Sequence, residues 1–164
     1  MSKNNPGASI VASLIPPGSV GVEIGVWEGA SSLEFAERAR YLYLVDPWPG
    51  RDDQYRRVKE LFAGRNVTVM RHTSKEFLES LHTYNLVCSN TKNEDKKVLF
   101  DWFYIDGLHD YESVKADLIG ASKLLKPTGI IYGDDYGKKD GVQQAVDEFA
   151  PHRRLLGLSQ YAIP

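Results

Sequence analysis

Residues 20–48 read VGVEIGVWEGASSLEFAERARYLYLVDPW, and this stretch decides the fold. A β-rich apolar run ends at Ile24 and is followed by a glycine turn and by residues 29–40, whose apolar side chains recur at roughly helical spacing. A second apolar run, YLYLV, stops abruptly at Asp46-Pro47. Strand, helix and strand in this order predict a βαβ unit with two parallel strands.

The same alternation continues to the end of the chain. Further helices are predicted at residues 9–15, 52–63, 74–81, 110–125 and 140–149, and further strands at 66–70, 98–105, 129–132, 154–158 and 160–163. Ser74 is the expected N-cap of its helix, and the polar residues 85–97 are expected to form an excursion loop. The pattern predicts an α/β fold with a Rossmann-like, doubly wound sheet, mostly parallel with an antiparallel C-terminal strand.

Length and composition narrow the possibilities. We expect a single domain over residues 1–164, in which residues 1–18 form a short N-terminal extension. The net charge of −2 offers no basic excess for nucleic acid. No apolar stretch is long enough to span a membrane, and the single cysteine, Cys88, fits a reducing compartment, so the expected location is the cytoplasm.

Ligands of doubly wound sheets bind beyond the carboxyl ends of the strands. After the first predicted strand, Gly25 and Gly29 allow a tight turn that a ligand could approach. A dinucleotide fingerprint would have its second glycine where Val26-Trp27 stands, so a nicotinamide cofactor is disfavoured. An ordinary βα turn is the alternative interpretation.

The second predicted strand ends at an acidic residue, Asp46. An acid about 20 residues beyond a glycine turn is placed to hold a ribose diol, and Asp46 follows Gly25 at that spacing. Alternatively, Asp46 forms an Asx turn before Pro47. The next aromatic residue, Trp48, either walls an adenine or covers the end of the sheet.

The most informative segment is FDWFYIDGLHDY, residues 100–111. A buried strand brings Asp106 to the carboxyl edge, with His109 three residues on, and the next predicted strand brings Asp134 and Asp135. Crowded carboxylates repel each other unless a cation joins them, and their hard oxygen atoms suit Mg²⁺, Mn²⁺ or Ca²⁺. The alternative is that Asp134 and Asp135 only cap a turn. Asp110 is expected to be a helix N-cap.

Taken together, these motifs resemble those of the class I S-adenosylmethionine-dependent methyltransferases. The resemblance lies in the segments VEIGVWEGAS, LVDPW and FDWFYIDGLHDY, and it extends from about Gly18 to the end of the chain. Residues 105–136 and the segment GVQQAVDEF are similar to one branch of these enzymes. That branch includes metal-dependent sugar O-methyltransferases of macrolide biosynthesis and cephalosporin-hydroxylase-like proteins.

This resemblance implies roles for individual residues. The residues implied to hold S-adenosylmethionine are Glu23, Gly25, Trp27, Gly29, Ser31, Asp46, Trp48, His72, Ser74 and Asp106. Mg²⁺ (or Mn²⁺) would be held by Asp106, Asp134 and Asp135, with His109 as the general base and Asp106 also counted as catalytic. Members of the branch often have Glu at the position of Asp134, and Asp keeps the charge there but has a shorter reach.

The resemblance leads us to expect methyl transfer to a hydroxyl of a small-molecule or glycan acceptor, most simply a sugar. The alternatives are a catechol- or phenol-type O-methyltransferase and a non-catalytic cofactor-binding partner subunit. The sugar enzymes of the branch hold their substrate with long N-terminal or lid regions. Only residues 1–18 precede the first predicted strand here, so we expect a homo-oligomer.

Overall fold

A computed structural model describes residues 6–164, and they contain one seven-stranded sheet. The strands are β1 (Val20–Ile24), β2 (Tyr41–Val45), β3 (Val67–Met70), β4 (Phe100–Ile105), β5 (Leu125–Gly133), β6 (Arg154–Gly157) and β7 (Gln160–Ile163). They lie in the order β3-β2-β1-β4-β5-β7-β6, with β1 to β5 parallel and β7 antiparallel to both of its neighbours. The predicted fold class is confirmed. The predicted single domain stays a prediction, and residues 1–5 of its extension lie outside the described part.

Helices cover both faces of the sheet. They are α1 (Pro6–Leu14), α2 (Ala30–Arg38), α3 (Asp52–Leu61), α4 (Ser74–Asn90), α5 (Tyr111–Ser122) and α6 (Asp140–Phe149). Side chains of β4 alternate between two cores: Trp102 packs with α1 to α3, and Phe103 packs with α4 to α6. Because both faces are buried, the whole strand is apolar or aromatic apart from Asp101.

The largest difference from the predicted elements is the length of α4, which continues to Asn90 instead of ending at residue 81. The polar residues of this stretch suggested a loop, but Asn85 is buried. Its amide oxygen accepts from the backbone N–H of Val98 at 2.8 Å, and its amide nitrogen donates to the Val98 carbonyl at 2.9 Å. Cys88 is also buried. Tertiary contacts therefore keep a helix where composition favoured a loop.

The N-terminus of α4 also differs from the prediction. Thr73, not Ser74, is the N-cap: its hydroxyl accepts from the Glu76 N–H while the Glu76 carboxylate accepts from the Thr73 N–H. This reciprocal pair is a capping box. Ser74 is thereby the first helical residue.

Strand register brings the ends of the central strands to one edge. Ile24 pairs with Val45 on one side and with Ile105 on the other, and Ile105 pairs with Gly133. The residues that follow these strands therefore meet at the carboxyl edge, where the strand order reverses between β1 and β4. Within residues 6–164, no helix is both long and apolar enough to cross a membrane.

Candidate active site

Strained backbone marks the carboxyl edge. Trp27, Trp48 and Asp135 have φ of 54°, 41° and 64°, in the left-handed region that side chains other than glycine rarely adopt. They follow β1, β2 and β5 respectively. Strain of this kind collects at functional sites, where the surrounding structure over-determines it. The edge is therefore the place to look for chemistry.

Gly25 is required by the close approach of two chain segments. Its φ is 86°, and a Cβ atom there would lie 2.0 Å from the carbonyl oxygen of Asp106. Its N–H donates to the Val45 carbonyl at 3.0 Å, while the Asp106 N–H donates to the Ile24 carbonyl at 2.8 Å. The glycine thus joins the ends of β1, β2 and β4. The sequence analysis explained Gly25 by the approach of a ligand. The structure shows that the absent side chain also makes room for the backbone of Asp106.

Asp46 organises the turn after β1. Its Oδ2 accepts from the backbone N–H groups of Val26 and Trp27, both at 3.0 Å, and its Oδ1 accepts from that of Trp48 at 2.8 Å. The last of these bonds is the Asx turn that the sequence offered as an alternative. The residue is only partly buried, so its carboxylate still borders the open edge.

The two tryptophans of the edge have different environments. Trp48 is 1% exposed, packs on Tyr55 and donates its indole N–H to the Trp27 carbonyl at 2.9 Å. It has no free face for an adenine and covers the end of the sheet, which corrects the first of its two interpretations. Trp27 is 53% exposed, and the Arg51 guanidinium lies 4.1 Å from the centre of its ring.

Glu23 and Ser31 flank the glycine turn, one at the end of β1 and the other in the first turn of α2. Both are buried, and the Ser31 hydroxyl donates to Glu23 Oε1 at 2.7 Å. Glu23 Oε2 makes no hydrogen bond with any residue from 6 to 164. Burial is the main cause that raises the pKa of Glu23 to about 7. The pair thus links the end of β1 to the start of α2, and the expected role of both residues in holding the cofactor stays a prediction.

The remaining residues expected to hold a cofactor are spread along the same edge. Gly29, with φ of 78°, is the N-cap of α2. His72 follows β3, is half-exposed and lies 4.0 Å from the Glu76 carboxylate. The Ser74 hydroxyl faces the buried carboxylate of Asp117.

Three side chains meet where β4 and β5 end. His109 Nε2 lies 3.6 Å from Asp106 Oδ1 and 3.2 Å from Asp135 Oδ2, and one ligand atom from each residue falls within 4.8 Å of the others. Asp110 is the N-cap of α5, as predicted, and accepts from the Ser113 N–H at 3.0 Å. We call Asp106, His109 and Asp135 the acid cluster. It brings together most of the residues that the sequence assigned to a cation.

Asp134 lies near the acid cluster but is not one of its members. Its Oδ1 accepts from the Ser159 hydroxyl and, at 2.6 Å, from the backbone N–H of Asp135. Ser159 is 2% exposed and lies just before β7. The expected ligand set of Asp106, Asp134 and Asp135 is therefore corrected: in this arrangement His109 stands where Asp134 was expected.

Burial and neighbouring carboxylates act together on Asp106. Burial, followed by the charges of Asp134 and Asp135, raises the pKa of Asp106 to about 8. The Lys138 ammonium, 3.9 Å from Asp135 Oδ1, partly offsets this repulsion. It is more than half exposed, so solvent weakens its effect.

Two polar residues near the edge were not singled out from sequence. Asp117 is 4% exposed, lies under Gly107 and has a pKa raised to about 6, mainly by burial. The sequence did contain a signal for a buried acid, because Asp117 interrupts the apolar face of its helix next to Leu118. Ser159 carried no comparable signal, since nothing in its local sequence connects it with Asp134.

A family model described as a methyltransferase domain matches residues 22–136. This range holds the glycine turn, Asp46, the acid cluster and Asp134. No curated protein matches the sequence.

Solved structures share the fold at low sequence identity. An O-methyltransferase from Bacillus cereus, in complex with SAH, is 17% identical with a TM-score of 0.69, over 98% of this chain and 82% of that one. TomG from Streptomyces achromogenes, an O-methyltransferase involved in tomaymycin synthesis, was solved with SAM; it is 15% identical with a TM-score of 0.67, over 98% and 79%. An rRNA methylase from Streptococcus thermophilus is 9% identical with a TM-score of 0.62, over 99% and 96%. Acceptors this different on one fold mean that the site, not the fold, must decide the substrate.

Proposed function

We propose, from the premise that this chain belongs to the methyltransferase-domain family, that it transfers a methyl group from S-adenosylmethionine to a hydroxyl oxygen. We further propose that the transfer depends on a divalent cation and that the acceptor is a sugar or a glycan. The observation that carries the proposal is the acid cluster, in which an imidazole lies within reach of two carboxylates at the edge where ligands bind.

The cofactor would be held by the turn after β1 and by the end of β2. The carboxylate of Asp46 accepts from the backbone of this turn, and Trp27 is the exposed aromatic residue beside it. Gly25 and Glu23 contribute by allowing the turn and by supporting it. Two of the similar proteins were solved with SAH or SAM bound, which supports this choice of cofactor.

The donor set of the acid cluster fits a divalent cation. Asp106 and Asp135 offer carboxylate oxygens, which suit Mg²⁺ and Mn²⁺. Their mutual repulsion, together with that of Asp134, is what a cation would remove. We assign ligation to Asp106 and Asp135, with Asp134 as a supporting residue.

His109 is placed to act as the general base. Its Nε2 lies 3.2 Å from Asp135 Oδ2, and its side chain is 39% exposed. The carboxylate orients the imidazole, while the exposure leaves room for an acceptor hydroxyl. A sugar hydroxyl is a weak nucleophile at neutral pH and therefore needs this help.

When bound, the cofactor supplies an electrophilic methyl group and the cation acidifies the acceptor hydroxyl. The chain aligns the two reactants at one sheet edge, which is the main contribution that a protein makes to such a transfer. His109 would take the proton of the acceptor hydroxyl at Nδ1, because its Nε2 faces the two carboxylates. The nearby carboxylate of Asp135 stabilises the resulting imidazolium.

A phenol-type acceptor is the second candidate, and one observation favours it. His109 Nε2 is close enough to both carboxylates to become a ligand of the cation itself. It would then be unable to accept a proton. The acceptor hydroxyl would have to be acidic enough to lose its proton without a general base, as that of a vicinal diphenol is. The MnCl₂ affinity of a variant without His109 separates the candidates, because a ligand is needed to bind the cation whereas a base is needed only for turnover.

Calorimetry and an activity assay test the proposal. We expect the purified protein to bind S-adenosylhomocysteine and not NAD, and to methylate a sugar or glycan from an acceptor panel only when Mg²⁺ or Mn²⁺ is present. Chelation should stop turnover while binding of S-adenosylhomocysteine persists. Full activity in excess chelator would refute the role of the cation, and cofactor binding without turnover on any acceptor would favour a partner subunit. The expected homo-oligomer stays a prediction for light scattering.

A further inference from the structure

A buried phenol lies behind the acid cluster. Tyr161, in β7, is 0% exposed, and its Oη makes no hydrogen bond with any residue from 6 to 164. Leaving a buried hydroxyl without a partner costs free energy, so folded proteins normally satisfy such groups through protein atoms or ordered water. The position of this hydroxyl therefore needs an explanation.

Gly133 makes room for the tip of the phenol. The two residues are paired across β5 and β7, and a Cβ atom on Gly133 would lie 2.3 Å from Tyr161 Oη. Gly133 is the last residue of β5, directly before Asp134 and Asp135. The missing side chain thus lets the hydroxyl of β7 reach the base of the segment that begins with Asp134 and Asp135, which we call the acidic loop.

A small cavity is lined both by Tyr161 and by residues at the carboxyl edge. A water molecule has about 10 Å³ of room in it, close to what one water needs. Its walls include Tyr161, Asp106, His109 and Asp134. Its other walls include the apolar side chains of Ile105, Leu108, Val114 and Val142. The phenol and the carboxylates are therefore the groups that would hold a single ordered water in it.

The hydrogen-bonding capacity of the walls matches such a water. Burial, and then the charges of Asp106, Asp117 and Asp134, raise the pKa of Tyr161, so the phenol keeps its proton and can donate. Asp134 Oδ1 is already occupied by Ser159 and by the N–H of Asp135, whereas its Oδ2 bonds nothing within residues 6–164. A water that accepts from the phenol has two protons left to donate to carboxylates.

We propose that Tyr161 is a positioning residue of the acid cluster, acting through one buried water that bonds Asp106 and Asp134 and so holds Asp106 in the orientation needed to bind a cation. The proposal rests on the divalent-cation site of the proposed function. It also gives Asp134 a part in the site that does not require direct ligation.

The test compares Tyr161→Phe with the matched control Tyr132→Phe. Tyr132 is a buried phenol of β5 that faces the opposite core and donates to the Leu14 carbonyl, away from the cavity. We expect Tyr161→Phe to weaken the binding of MnCl₂, measured by calorimetry, about 10- to 100-fold, the usual effect of losing a partner that orients a metal ligand. S-adenosylhomocysteine affinity should stay within about twofold of wild type, and Tyr132→Phe should change neither affinity.

Stability and crystallography make the outcome decisive. If the phenol holds a water, Tyr161→Phe should unfold at a lower urea concentration than wild type in metal-free buffer, and a crystal structure of the wild type should show a water within hydrogen-bond distance of Tyr161 Oη and a carboxylate. Unchanged MnCl₂ affinity, a variant as stable as wild type, or a dry cavity would each overturn the proposal. If wild type binds no MnCl₂, the proposed function fails, and the stability and crystal measurements still decide whether the water exists.

Discussion

His109 Nε2 lies 3.2 Å from Asp135 Oδ2, although one residue follows β4 and the other follows β5. The contact exists because β4 and β5 are neighbours and end in register, at Ile105 and Gly133. A base and a carboxylate are thereby joined at the edge of the sheet. The first two predictions probe this pair.

Replacing His109 tests the general base. We expect His109→Ala to lower the methylation rate about 10²- to 10⁴-fold, with partial recovery at high pH, because a proton acceptor is lost. MnCl₂ affinity should fall much less than the rate. His152→Ala, at an exposed histidine outside the site, is the control. A variant that loses MnCl₂ binding instead would identify His109 as a ligand and favour a phenol acceptor.

Neutralising the carboxylates tests the cation site. Asp106→Asn and Asp135→Asn should abolish measurable MnCl₂ binding and turnover, because each removes a charged ligand. Asp134→Asn should have a smaller effect, since an amide oxygen can still accept from Ser159. Asp95→Asn, at an exposed acid, controls for the change in net charge. Equal losses for all three acidic variants would contradict the assignment.

The cofactor turn can be tested through Asp46. Asp46→Asn loses one of the two oxygens that receive three backbone N–H groups, so we expect S-adenosylhomocysteine affinity to fall about 10-fold or more, in line with the value of a hydrogen bond to a charged group. Calorimetry measures the change. Asp53→Asn removes a charge from exposed helix surface and should leave the affinity unchanged. Wild-type affinity in Asp46→Asn would show that the turn does not depend on this carboxylate.

Substituting Gly25 and Gly50 separates the cost of a steric clash from the cost of backbone strain. Gly25→Ala combines φ of 86° with a Cβ atom 2.0 Å from the Asp106 carbonyl oxygen, whereas Gly50→Ala has φ of 66° and open space. We expect Gly50→Ala to cost about 1 kcal/mol of unfolding free energy, and Gly25→Ala to cost several times more and to lose S-adenosylhomocysteine binding. Denaturation and calorimetry check both. Equal costs would mean that β4 yields easily at this junction.

Asp117 predicts a pH dependence of stability. Its folded-state pKa, about 6, lies above the ordinary value of 3.8, so the folded state binds its proton more tightly than the unfolded state. The associated stability is fully present below pH 3.8 and is lost as pH rises through 6, by about 3 kcal/mol at most. Asp117→Asn removes the titrating carboxyl and with it this pH-dependent loss of stability. The amide that replaces it can still form a hydrogen bond with Ser74.

Urea unfolding from pH 4 to pH 8 measures the effect. The stability of Asp117→Asn relative to wild type should rise with pH and level off above pH 6. Glu23 titrates in both proteins and cancels in the comparison. A difference that does not vary with pH would show that Asp117 is not the titrating group.

Much of the architecture could be predicted because its signals are local. Apolar runs such as YLYLV, broken by Asp46-Pro47, predict strands whatever the rest of the chain does. The same runs place Asp106 and Asp135 just beyond strand ends, and parallel strands bring such residues to one edge. Helix α6 was predicted at its observed bounds for the same reason, since its apolar spacing is regular.

Other features depend on partners far away in sequence. The extension of α4 relies on Asn85 bonding Val98, and the orientation of Asp134 relies on Ser159. Trp48 is buried because Tyr55 and the Trp27 carbonyl lie where its ring can reach them. A pattern read along the chain contains none of these contacts.

The sequence by itself determined which strands form and which acids, glycines and histidines stand at their ends, because strand periodicity and turn residues act over a few positions. Only the tertiary structure decided which of those side chains meet. Asp46 binds the turn of another strand, His109 replaces Asp134 in the acid cluster, and Tyr161 reaches the acidic loop over Gly133. At a strand end a side chain is no longer constrained by the pleat, so its direction is set by the hydrogen-bond donors and the space that neighbouring strands provide.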